Sequence, residues 1–212
     1  MTVYFVRHGE SQGNQKKVHQ TAAEPLSEIG LDQAKLVAHR FTKIKFEALL
    51  ASPYRRAQQT AQIISGKTKV RVETYEEFRE PQRPPEIQGL PHQHPKAVKV
   101  RALVKKHLLD PDWHYSTEEN FFDVKQRAKN AFHLLERRRE QSIAVVSHGN
   151  FIALMITIKL FGQDIEPDRF LNMFAHTKYS NTGITVMDYS LDEYSKQKEW
   201  KLVTFNDNAH LG

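Results

Sequence analysis

The sequence has 212 residues, of which 39% are hydrophobic and 26% charged, with a net charge of +6 and no cysteine. That is enough apolar material for a real core, and the lack of thiols excludes disulfides, cysteine nucleophiles and cysteine-based zinc sites. No stretch approaches the ~18 apolar residues of a membrane span, and MTVYFVRHGE lacks the basic start and apolar core of a signal peptide, so a cytoplasmic protein with no membrane partner is expected.

Buried strands of a parallel sheet read as short continuous apolar runs. Val3–Val6 (VYFV) is the first, and it ends in Arg7-His8-Gly9-Glu10. Ser27 then offers a cap for a helical pattern in which Leu31, Ala34, Ala38 and Phe41 share a face. Ala48–Ala51 (ALLA) is the second run. Ser52-Pro53 reads as a helix cap with proline at the first position, ahead of a helix over Pro53–Ile64 carrying Arg55 and Arg56 in its first turn.

Glu80–Pro95, EPQRPPEIQGLPHQHP, breaks the alternation, because its prolines forbid a regular helix. The basic stretch Lys96–His107 after it suits a helix. Residues 81 to about 119 are therefore expected as a cap-like insertion within one domain spanning residues 1–212. Phe121–Leu135 repeats a helical apolar face, Ile143–Val146 (IAVV) is a third buried strand, and Phe151–Phe161 reads as a buried helix after Ser147-His148-Gly149-Asn150. Ile184–Tyr189 and Trp200–Phe205 read as two more strands joined by a hairpin. Strand alternating with helix predicts an α/β fold, a three-layer α/β/α sandwich with a mainly parallel sheet.

Ligands of such sheets gather beyond the carboxyl ends of the strands. Two histidines and two or three arginines converge there, and helix N-termini add positive potential, so a phosphate-like anion is the expected ligand. The lysine-rich stretch lacks interleaved aromatics, and Arg137–Arg139 sit at a helix end where cations suit the dipole, so nucleic acid is not the expected partner. A metal site is disfavoured: Arg7 and Arg56 repel a cation near His8 and His148, and His92 and His94 lack a third ligand.

FVRHGES followed by Asn14, LSEIGLDQA, ASPYRRAQQTA, FREP and VVSHGN, in this order, resemble the histidine phosphatase superfamily, in the branch shared with cofactor-dependent phosphoglycerate mutase. The resemblance implies a metal-independent enzyme without a cofactor. It makes His8 the nucleophile that becomes a phosphohistidine. Arg7, Arg56 and His148 would hold the phosphoryl oxygens with help from Asn14, and Glu80 would be the proton donor. Arg56 rather than Arg55 precedes the alanine of the family pattern, and Glu76 and Glu77 compete with Glu80 for the acid. Asn181-Thr182-Gly183 reads equally as a turn or as a source of amides for the phosphate. PQRPPEIQGLPHQHP departs from the basic segment that follows the acid in mutases. The expectation is thus a phosphatase of a small phosphorylated metabolite, with a mutase or a weakly active phospho-ligand binder as alternatives, and a monomer or homodimer.

Overall fold

The computed structural model describes residues 1–212. Its centre is a six-stranded sheet in the order β3-β2-β4-β1-β5-β6, with β1 at Thr2–Arg7, β2 at Ala48–Ala51, β3 at Val72–Thr74, β4 at Ser142–Ser147, β5 at Ile184–Leu191 and β6 at Lys198–Asp207. β1, β4, β2 and β3 run parallel, while β5 is antiparallel to both its neighbours.

The two faces follow from the period of two along each strand. Val3 and Phe5 lie in register with Ile143 and Val145, and Ala48 and Leu50 continue that row. This face packs on α5 (Phe121–Glu136) and α6 (Gly149–Phe161) in the larger core. Val6, Leu49, Ala51, Ala144 and Val146 point the other way, against α2 (Glu28–Phe41) and α3 (Arg55–Thr68). Helices on both faces of the sheet make the expected three layers. α6 is apolar on nearly every side because it is covered all round, with Phe151 to Ile158 all buried.

The remaining helices are α1 (Gln12–Lys16), α4 (Pro95–Lys106) and α7 (Pro167–His176). Ser27 caps α2 through Gly30 N, as its sequence position suggests. The start of α3 differs from expectation. It begins at Arg55, and the Ser52 hydroxyl instead accepts from the Tyr54 amide at 3.2 Å while Pro53 lies outside the helix. β3 and α7 were not legible as elements: VET is a half-exposed edge strand with no apolar run, and α7 buries only Pro167 fully.

Residues 81–119 hold α4 and a small core of Ile87, Ala97 and Val100. Backbone bonds tie this segment to the loop after α1: His19 N to Leu90 O (2.9 Å), Gly89 N to His19 O (2.7 Å) and His92 N to Lys17 O (2.9 Å). No helix is long and apolar enough to cross a membrane.

Candidate active site

Parallel pairing brings the carboxyl ends of β1, β4 and β2 to one rim. Arg7 sits opposite Ser147, and the His8 amide donates to Ser147 O at 2.9 Å. Asn181 Nδ2 donates to His8 O, and Thr182 N donates to Arg7 O. The Asn181–Gly183 turn therefore braces the end of β1, and its Thr182 and Gly183 backbone amides are engaged within the protein. At Gly9 the chain comes close to the start of α2. A Cβ there would lie 2.4 Å from the Gly30 carbonyl oxygen, so glycine is what lets the loop cross the start of α2.

His8 is almost fully buried, with 3% of its surface exposed. Its Nδ1 lies 2.6 Å from Gly9 O, and its Nε2 lies 3.1 Å from Arg56 Nε. A carbonyl accepts only and a guanidinium donates only. These partners assign the proton to Nδ1 and leave the lone pair on Nε2. Burial, then the charges of Arg56 and Arg7, hold the imidazole well below its usual proton affinity, against a smaller opposing pull from the Gly9 carbonyl. His8 is thus a neutral base at physiological pH with its free nitrogen defined.

Arg56 also donates from Nη1 to Thr21 O at 2.9 Å, and it leans on the Tyr54 ring. Arg55, its exposed neighbour, does not reach the cleft. Arg7 donates from Nη1 to Tyr179 O, while its buried Nε has no partner. Burial lowers the proton affinity of both arginines, and Glu80 opposes this in each. Arginine starts so far above neutrality that both remain cations.

His148 is 1% exposed, and its ring centroid lies 5.0 Å from that of His8. Its Nε2 meets Ser52 Oγ at 2.7 Å, and Nδ1 has no partner. Burial first, then Arg56 and His8, keep it neutral as well. Asn14 lines the cleft; its side-chain oxygen accepts from Ser11 N at 3.1 Å in a capping box for α1. Glu80 lies at the N-terminus of α6, where Asn150 Nδ2 donates to one oxygen and Phe151 N to the other at 3.3 Å. Of its competitors, Glu76 stands exposed at the cleft edge and Glu77 is outside the wall. Sequence reasoning missed Thr60 and Tyr54, and it placed Ser52 and Asn150 at the strand ends without giving them a role in the site. Thr60 accepts from Gly9 N at 3.1 Å and donates to Arg56 O at 2.8 Å, tying the loop after β1 to the first turn of α3.

Arg7, His8, Asn14, Tyr54, Arg56, Glu80 and Asn150 line a cleft of about 870 Å³, whereas His148, Ser52 and Thr60 are buried and form no part of its wall. Its walls carry Arg7, Arg56, Arg79, Arg83, Arg101 and Lys178 against only Glu76 and Glu80. Segment 81–119 supplies one side through Arg83, Gln88, His92 and Arg101. His92 donates from Nε2 to Val18 O at 3.1 Å, whereas His94 caps α4, so the two side chains diverge.

Comparison with known proteins finds relatives named as phosphatases and phosphoglycerate mutases. A protein of Hydrogenobacter thermophilus named "Putative phosphoserine phosphatase 2" is 27% identical over 158 residues, covering 74% of this chain and 77% of that one. A probable phosphoglycerate mutase, GpmB of Yersinia pestis, is 37% identical over 81 residues, 38% of each chain. A mutant phosphoserine phosphatase of Entamoeba histolytica, solved with phosphoserine, superposes with a TM-score of 0.72 at 26% identity over 99% of this chain and 98% of its own. The family model of the histidine phosphatase superfamily (branch 1) matches residues 3–208, nearly the whole sheet and both helical layers, and the chain belongs to that superfamily.

Proposed function

We propose that this phosphatase works through a phosphohistidine on His8. The observation that carries the reading is the defined Nε2 lone pair of a buried, neutral imidazole beside two cationic guanidinium groups. The phosphoryl group displaces the Arg56–His8 contact and is held by Arg7 and Arg56, with Asn14 at the wall and His148 beside the attacking ring. Nε2 attacks phosphorus as the ester P–O bond breaks, and the carboxyl of Glu80 gives its proton to the leaving oxygen. Water then loses a proton to the Glu80 carboxylate and attacks phosphorus, and the P–N bond breaks. Phosphate leaves and His8 is neutral again. Little covalent chemistry is asked of the arginines; they neutralise charge and fix the in-line geometry.

The alcohol released is proposed to carry a second anionic group. Arg83, Arg101 and Lys178 face the cleft and have no carboxylate within ion-pair distance. Near them the His19 ring stacks edge-on to His92 with its buried Nε2 unpartnered. Phosphoserine, which appears in the names of two relatives, has such a carboxylate. Segment 81–119 is accordingly read as a cap that selects substrate within one domain, and the protein as a cytoplasmic enzyme.

Rapid quenching with labelled substrate tests the proposal. Wild-type protein should give an acid-labile, base-stable phosphoprotein, and His8→Ala should give none and lose turnover. Full turnover by His8→Ala would end the reading. With 3-phosphoglycerate, isomer formation faster than phosphate release would make the enzyme a mutase instead.

A further inference from the structure

Glu80 sits in an irregular loop, and a catalytic group on a loop keeps its place only if neighbouring residues lock it. Arg127, one helical face away on α5, holds that loop by its backbone. Its Nη1 donates to the carbonyls of Glu77 at 2.9 Å and Arg79 at 2.8 Å. Its Nε and Nη2 donate to the two oxygens of Glu119 at 2.8 and 2.9 Å. Glu119 in turn accepts from Arg79 Nη2 at 2.9 Å and from Gln82 N at 3.0 Å. The same guanidinium lies 4.6 Å from the ring of Phe151, whose amide donates to Glu80. Residues 77, 79 and 82, on both sides of the acid, are thus fixed to one largely buried ion pair. Neither Arg127 nor Glu119 lines the cleft.

We infer that Arg127 and Glu119 form a positioning pair, which holds the Glu80 loop so that its carboxyl meets the oxygen of the leaving alcohol. The inference rests on the reading of Glu80 as the proton donor. Neither residue touches the substrate. A planar fork with parallel donors is needed, because two carbonyls and a bidentate carboxylate lie around one centre; lysine cannot satisfy all four.

Leaving-group dependence separates positioning from mere scaffolding. An alkyl alcohol departs only with a proton, whereas 4-nitrophenolate departs without one. The quantity read is kcat/KM, which covers steps up to loss of the alcohol and not the later attack of water. Glu80→Gln should lower kcat/KM for phosphoserine by ~10²–10⁴-fold, the usual scale of general acid catalysis, and that for 4-nitrophenyl phosphate far less. Arg127→Lys and Glu119→Gln should repeat this pattern at roughly 10–100-fold, the scale of a displacement near 1 Å. Equal losses on both esters in either variant, with Glu80→Gln still selective, would overturn the positioning pair and leave the acid intact. Equal losses in Glu80→Gln would instead overturn the acid itself. Should Arg127→Lys not fold, Glu119→Gln, which keeps the shape of the pair, decides the question.

Discussion

Replacing Arg56 by glutamine separates two consequences of a single charge. Arg56 is 3% exposed, and its Nε is 3.1 Å from His8 Nε2, the proposed nucleophile. Loss of one preorganised donor from a water-poor site costs about 2.7–4 kcal/mol in the transition state, so kcat/KM should fall by ~10²–10³-fold. The second consequence concerns protons. After burial, Arg56 is the largest influence holding His8 below its usual range. Without that cation the imidazole binds its proton more readily, and protonated His8 cannot attack. The acid limb of kcat/KM, which reports the free enzyme, should therefore move to higher pH in Arg56→Gln. Burial remains in the variant, so the limb should stop short of the ordinary histidine range. Folding is a smaller concern: the Thr21 carbonyl loses its donor, at a cost of ~1–3 kcal/mol. That is within a typical stability of about 5–15 kcal/mol.

The assay is 4-nitrophenyl phosphate hydrolysis by both proteins from mildly acidic to neutral pH, with the ratio of variant to wild type plotted. The substrate ionises identically in both series and cancels from the ratio. Activity within about threefold of wild type would refute the clamp, on the scale given for a lost donor. An acid limb that moved down would refute the electrostatic assignment of His8.

Two further outcomes follow from buried groups. Gly9→Ala forces a Cβ to 2.4 Å from the Gly30 carbonyl oxygen, a backbone atom with nowhere to yield, and should lower stability by ~1–3 kcal/mol in denaturant melts; an unchanged midpoint would sink the crossing argument. Acid should also destabilise the fold. His8 and His148 are neutral in the native state with proton affinity well below normal, so between about pH 6.5 and their depressed values the unfolded chain binds more protons. Stability is then fully present above that window and falls with pH, by up to ~1.4 kcal/mol per pH unit per histidine. A urea midpoint that stays constant from neutrality down to about pH 5 would contradict it.

The strands that build the centre of the sheet were legible because both faces are covered: VYFV, ALLA and IAVV have no polar side to hide. The same logic made FIALMITIKLF readable as buried helix. Ser52-Pro53 misled at α3 because a serine hydroxyl can serve any nearby donor, and here it serves the Tyr54 amide and His148. The cluster of Arg7, His8, Arg56 and His148 could be anticipated from strand ends. Arg127 could not: its partners lie 8, 48 and 50 residues away, on segments that meet only in three dimensions. The neutral state of the histidines was also invisible, since it depends on burial rather than on residue type.

That dependence explains why an arginine–histidine pair suits the end of β1. Burial lowers proton affinity in both side chains, yet they start ~6 pH units apart. The same dry rim therefore strips the proton from His8 and leaves Arg7 and Arg56 charged. A lysine in place of Arg56 would start about two units lower and lack the fork that reaches His8 and Thr21 together. In the proposed reaction the cations weaken His8 slightly as a nucleophile by drawing on its lone pair. They return far more once an anionic phosphoryl group arrives, because their field then lies along the path of the transferred charge.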